Sequence, residues 1–63
     1  MTLFTLAQAA RTQKDTLATL RRIKAPDDLI RRTAAGYIDA HYAWQKARYG
    51  KVRTHLSVAA LLR

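Results

Sequence analysis

The side chains in this sequence that are best suited to chemistry are its cations. The 63 residues include twelve Lys and Arg against four acids, all Asp, which gives a formal net charge of +8 at pH 7. Eight of the twelve cations are Arg, whose planar guanidinium favours paired contacts with phosphate or carboxylate oxygens. This imbalance predicts a polyanionic partner: a nucleic acid, an acidic protein surface or anionic lipid.

Two clusters of cations are the candidate binding residues. The turn cluster is Arg21, Arg22, Lys24, Arg31 and Arg32, and the distal cluster is Lys46, Arg48, Lys51 and Arg53. We predict that both clusters contact the phosphates of a nucleic acid. The alternative is that they form solvated faces of a small protein, but a surface adapted only to solubility would mix charges of both signs.

The residue types argue against catalysis. The sequence contains no Cys and no Glu, and it lacks a close carboxylate pair, a phosphate-cradling glycine loop and metal-ligand spacing. We expect His41 to be a hydrogen-bonded residue in the seam between helices and His55 to lie on the surface. The sequence therefore predicts a protein without enzymatic activity, cofactor or metal ion.

Two long helices are predicted on either side of Pro26. A residue before proline is pushed out of the α region, so the first helix should occupy about residues 3–24. Pro26 suits the first position of the second helix, which we predict over residues 26–49 and which Gly50 should end in the left-handed conformation. Apolar residues at helical spacing predict a short third helix over residues 52–62.

The short connection at Pro26 predicts an antiparallel helical hairpin in an all-α fold. In this hairpin, residues whose numbers sum to about 51 should lie side by side, so the turn cluster and the distal cluster occupy opposite ends. Gly36 falls in the middle of the second helix, where glycine costs about 1 kcal/mol relative to alanine. We predict that it allows the helices to approach closely opposite Asp15 or its neighbours.

The first helix carries cations close to its apolar stripe. Lys14 and Arg21 project near the centre of a heptad-like stripe that runs from Leu3 to Leu20. Their aliphatic stems would cover the seam while their charged groups reach water, or both side chains would line a binding groove. A helix-turn-helix DNA reader would need a tight turn near Lys14, whereas the pattern continues through Lys14 as one helix.

Aromatic side chains alternate with cations in the second helix. Tyr37 and Trp44 share a stripe with small and aliphatic residues at steps of three and four, so we expect them in the core. Tyr42 and Tyr49 lie on the neighbouring stripe and are better candidates for exposure. Exposed rings among cations could stack on the bases of single-stranded nucleic acid, and Trp44 could make a cation–π contact with Arg48.

The length of the chain bears on its assembly and location. Sixty-three residues allow one domain, 1–63, and bury too small a fraction of their surface for comfortable stability alone. Without disulfides or a metal, we expect self-association as a homodimeric helical bundle. The N-terminal residues lack the basic region of a signal peptide and no apolar run reaches the length of a membrane span, so we predict a complete cytoplasmic protein.

Two local sequences accompany the matched helices of the hairpin: Arg11-Thr12-Gln13 and Ala47-Arg48-Tyr49-Gly50. In outline the chain resembles the plasmid-encoded Rop family, which carries comparable residues at these places. The resemblance implies an antiparallel four-helix dimer that binds paired RNA loops. The connecting loop, the third helix and the charge differ from that family, and no binding residues are carried over.

Three functions are compatible with these features. The leading hypothesis is a small basic helical accessory or regulatory protein that binds DNA or RNA through both clusters. The alternative is a protein-interaction module or a phage- or plasmid-type inhibitor, whose third helix anchors on an acidic protein while the cations steer the encounter. A membrane-active cationic helical peptide is the third, but the apolar faces are modest and rich in alanine.

Overall fold

The computed structural model describes residues 2–63, which form three helices and no strand. α1 spans Leu3–Arg22, α2 spans Asp27–Tyr49 and α3 spans Val58–Leu61. The two long helices pack against each other as a hairpin, so the predicted all-α hairpin is confirmed. The longest dimension of 35 Å matches the roughly 34 Å length expected of α2.

α1 begins with a side-chain cap and ends with a backbone cap. Thr2 Oγ1 accepts a hydrogen bond from the Thr5 N–H at 3.1 Å. At the other end, the Ala25 N–H donates to Leu20 O at 2.9 Å, and the Lys24 N–H donates to Arg21 O at 3.2 Å. This pair of bonds is a Schellman motif, and it ends α1 two residues before the predicted position, with Lys24 at φ 57° where glycine is usual.

The ends of α2 are set by Pro26 and Gly50. Pro26 is the N-cap of α2 rather than its first helical residue, because its ψ of 143° is extended. Its carbonyl accepts from the N–H groups of Leu29 and Ile30, both at 3.1 Å. Gly50 adopts φ 78° and donates to Lys46 O, which confirms the predicted left-handed cap.

The predicted third helix over residues 52–62 is wrong for most of its length. Residues 51–57, which we call the strap, are not helical, and only Val58–Leu61 form a helix, capped by Ser57. The apolar residues have helical spacing, but side chains of α2 form hydrogen bonds with backbone groups of the strap. In a helix these backbone groups would bond to one another instead.

The anchors of the strap are Gln45 and Tyr42 of α2. Gln45 Oε1 accepts from the Arg53 and Thr54 N–H groups at 2.8 and 2.7 Å, and its Nε2 donates to Thr54 O at 2.8 Å. Tyr42 Oη accepts from the Leu56 N–H at 2.9 Å and donates to Leu56 O at 3.0 Å. Five hydrogen bonds therefore hold the strap against α2.

The core between the helices is small. Its buried apolar side chains are Ala10, Leu17 and Ala34. The accessible surface is 4649 Å², against roughly 4,100 Å² expected for a 7.2 kDa monomer. Gly36 faces Gln13, whose Oε1 would lie 3.4 Å from an added Cβ, so the helices come close beside the predicted neighbour Asp15.

Candidate nucleic-acid interface

Positive charge covers the surface of the described chain. All twelve Lys and Arg side chains are exposed. Among residues 2–63 there is one ion pair, between Arg31 Nε and Asp27 Oδ2 at 3.2 Å, and both of its side chains are exposed, so solvent screens it. Most of the positive charge is therefore not neutralised by a nearby acid.

The turn cluster lies on the last turn of α1, the connection and the start of α2. Its members differ in what they contact. Arg21 Nη1 donates to Leu61 O at 3.0 Å and Nη2 donates to Arg63 O at 3.5 Å, so Arg21 holds the chain beyond the strap. Arg31 is paired with Asp27. The other three members, Arg22, Lys24 and Arg32, are exposed, and the ion pair found among residues 2–63 does not involve them.

In the distal cluster, two guanidinium groups come together on one tyrosine. The Cζ atoms of Arg48 and Arg53 lie 5.8 and 4.8 Å from the centroid of the Tyr49 ring. The predicted contact of Arg48 with Trp44 is replaced by this one, because Trp44 directs its ring toward Tyr49 instead, with centroids 5.8 Å apart at 83°. The remaining members, Lys46 and Lys51, are exposed.

Gln45 positions this cluster, a role that its place in the sequence did not predict. Its side chain is 2% exposed, and it binds the backbone of Arg53 and Thr54. Arg53 is thereby carried back to Tyr49, although it follows the end of α2. The available signal was a lone amide on the stripe of Tyr42 and Tyr49, where an apolar residue would be expected.

A ladder of rings runs along α2 toward the distal cluster. Tyr37 and His41 have centroids 5.7 Å apart, and His41 and Trp44 stack at 5.9 Å and 25°. These three residues are partly buried. His41 packs between the rings of Tyr37 and Trp44, and its expected hydrogen bond in the seam stays a prediction. Tyr49, which ends the ladder, is 42% exposed.

The remaining aromatic predictions concern Tyr42 and His55. Tyr42 was expected to be exposed, but it is partly buried because its hydroxyl holds Leu56. His55 is exposed as expected, and its ring meets the edge of Tyr42 with centroids 6.1 Å apart. Tyr42 therefore belongs to the anchoring of the strap rather than to an open aromatic surface.

Lys14 and Arg21 border a groove beside the α1–α2 seam. The groove has a volume of about 370 Å³, and Leu17, Tyr37 and Leu61 also line it. α1 is one continuous helix through Lys14, which excludes the helix-turn-helix arrangement considered for this segment. Lys14 and Arg21 are exposed and line this groove beside apolar side chains.

Neither a metal site nor a membrane-spanning helix is found among residues 2–63. Among residues 2–63, no three His or Asp side chains are grouped so as to hold a metal ion. No helix in this part of the chain is both long enough and apolar enough to cross a membrane. Comparison with protein-family models, curated proteins and solved structures finds no match to this chain.

Proposed function

We propose that the protein is a small nucleic-acid-binding accessory or regulatory protein that contacts phosphates through the turn and distal clusters. The observation that carries the proposal is that all twelve cations are exposed while a single ion pair occurs among residues 2–63. Cations without acidic partners release counterions from nucleic acid when they bind its phosphates, and this release drives association.

The spacing of the two clusters supports phosphate contacts at two points. Arg32 and Lys46 are separated by close to four helical turns, so they share a face of α2 and lie about 21 Å apart along it at a rise of 1.5 Å per residue. Successive phosphates of one strand are roughly 3.4 Å apart along a duplex axis, so this span corresponds to about six phosphates. Backbone contacts at two points would fix the protein on a strand without requiring a particular base sequence.

Salt titration tests the proposal. We expect binding to duplex DNA or RNA of mixed sequence, with log K falling linearly as salt rises from about 50 to about 200 mM. Replacing Arg22 and Arg32 with Gln should lower the slope by about 0.9 for each lost phosphate contact, as should Arg48→Gln. Arg11→Gln, which removes an exposed cation outside both clusters, is the matched control. Absence of binding at low salt, or binding that does not change with salt, would contradict the proposal.

A protein partner is the second candidate function. What favours it is the exposure of two large apolar side chains, 74% for Phe4 and 64% for Ile23. Phe4 and Ile23 lie near opposite ends of α1, so a single anchor patch does not include both. The leucines of the expected anchor are partly buried within the chain: Leu56, Leu61 and Leu62. Recovery of one stoichiometric protein after nuclease treatment would favour this function over nucleic-acid binding.

We also propose that the protein assembles as a homodimer. A core with three buried apolar side chains and the exposure of Phe4 and Ile23 support self-association, since small domains commonly gain stability by oligomerisation. Sedimentation equilibrium over a range of protein concentrations should give a mass twice that of the chain. A mass of 7.2 kDa at every concentration would contradict the dimer.

A further inference from the structure

We propose that the C-terminal end of α2 binds an unstacked base of a single-stranded nucleic acid, with Tyr49 as the stacking surface and Arg48 and Arg53 on the adjacent phosphates. This inference rests on the proposed function, because it names the form of nucleic acid that the distal cluster prefers. It assigns Tyr49 a role that neither the net charge nor the phosphate contacts require.

The first support is that the Tyr49 ring is exposed and is held in place by Trp44. Tyr49 is the last residue of α2 and is 42% exposed. The ring lies at 83° to that of Trp44, with the centroids 5.8 Å apart, and this edge-to-face geometry is a favourable one for aromatic pairs. The ring of Tyr49 is therefore held in place without both of its faces being covered by Trp44.

The second support is the guanidinium group above this ring. The Arg53 Cζ lies 4.8 Å from the Tyr49 centroid, in the kind of position that a stacked base would occupy. A base that takes this position releases the Arg53 side chain toward the phosphate of the same nucleotide or its neighbour. Arg48, 5.8 Å from the same centroid, is close enough to contact the next phosphate.

The third support is that the backbone carrying Arg53 is already fixed. Gln45 binds the N–H groups of Arg53 and Thr54 and the carbonyl of Thr54. The backbone that carries Arg53 therefore needs no ordering when a ligand binds, and preorganisation of this kind favours affinity.

A single strand fits this surface better than a duplex. In a duplex the faces of the bases are covered by their neighbours, and an inserted ring must pay for unstacking. In a single strand the base faces are open, and a ring flanked by cations is the usual platform for them. The prediction is thus a preference for single-stranded over duplex nucleic acid that depends on the Tyr49 ring.

The test measures the affinity of a thymidine oligonucleotide of about ten residues and of a duplex of the same length. We expect Tyr49→Leu to weaken single-strand binding about tenfold while duplex binding changes by less than about twofold. Tyr49→Phe keeps the ring and should retain single-strand affinity. Trp44, the single tryptophan of the chain, should lose fluorescence when the single strand binds, because its ring contacts Tyr49.

The outcomes separate this inference from the proposed function. Salt-dependent duplex binding without single-strand preference, or an equal loss of both affinities in Tyr49→Leu, overturns the base-stacking site and leaves phosphate binding intact. Absence of binding to either oligonucleotide at low salt overturns both. Circular dichroism of each variant checks that the helices are retained, and if Tyr49→Leu is unfolded, the ratio of single-strand to duplex affinity in the original protein decides, since equal affinities overturn the base-stacking site.

Discussion

Gln45 is the only large side chain that is fully buried in the described structure, although its chemistry is polar. Burial of an amide is tolerated when its hydrogen-bonding groups are satisfied, and both ends of this amide bind the strap. Periodicity in the sequence places Gln45 on a stripe with Tyr42 and Tyr49. It could not reveal the partners of the amide, because they follow the end of α2.

Gln45→Leu tests this assignment. The substitution keeps a helix-compatible side chain of similar size without a branch at Cβ, but it leaves the N–H groups of Arg53 and Thr54 and the carbonyl of Thr54 without these partners. We expect a loss of about 1–3 kcal/mol in unfolding free energy, measured by urea denaturation, and faster amide hydrogen exchange at Arg53 and Thr54. Gln8→Leu, at an exposed position of α1, is the control, and equal effects of the two variants would count against the role of Gln45.

Lys24 influences local structure through its backbone conformation. Its φ of 57° is unfavourable for a residue with a Cβ atom and normal for glycine. We expect Lys24→Gly to raise the unfolding free energy by about 0.5–1 kcal/mol relative to Lys24→Ala. Both variants lose the same charge, so the difference isolates the backbone. Equal stabilities in thermal or urea unfolding would show that the Schellman turn is not strained.

At the scale of elements, the sequence predicts those helices and caps that depend on residues close together in the chain. The two long helices, the cap at Thr2 and the left-handed Gly50 follow from capping chemistry and periodicity, which act within a few residues. The strap does not follow from such local signals. Its residues bond to residues of α2 that lie 8 to 14 positions earlier in the chain, and these bonds override the helical spacing in residues 52–62. The guanidinium pair on Tyr49 escaped prediction for the same reason, since the strap delivers Arg53.

Tyr42→Phe tests how independently the strap is held. Removal of the hydroxyl leaves the N–H and carbonyl of Leu56 without their partner, while the ring remains in place. We expect amide exchange at Leu56 to accelerate about tenfold or more, which corresponds to roughly 1–2 kcal/mol, with little change in the middle of α2. Tyr37→Phe, at a tyrosine for which no hydrogen bond is found within residues 2–63, is the control. Uniform acceleration throughout the chain would indicate that the strap and the hairpin unfold together.

At the scale of the whole molecule, repulsion between cations opposes the stability that the small core provides. Twelve exposed cations and one ion pair among residues 2–63 create self-repulsion, which favours expansion of a highly charged chain. The sequence alone establishes the net charge of +8 that causes this repulsion. It could not predict that Arg21 would bind the carbonyl groups of Leu61 and Arg63, since that contact depends on the path of the strap.

Monovalent salt should therefore stabilise the protein in the absence of any ligand. We expect the unfolding free energy to rise as sodium chloride increases toward about 0.15 M, where the Debye length falls to about 8 Å and the repulsion between cations is screened. A variant with Arg22→Gln and Arg32→Gln should be less sensitive to salt than the original protein. Stability that falls with salt in the urea-unfolding assay would show that attractive ion pairs dominate instead.

The smallest dimension of the molecule has a further consequence. With a thickness of 13 Å, the fold buries four side chains among the described residues: Ala10, Leu17, Ala34 and Gln45. Such a slab has almost no interior that is remote from water on both sides. Most positions should therefore accept replacement by many residue types, and evolutionary constraint should be concentrated at Gln45, Tyr42 and the few residues that pack between the long helices.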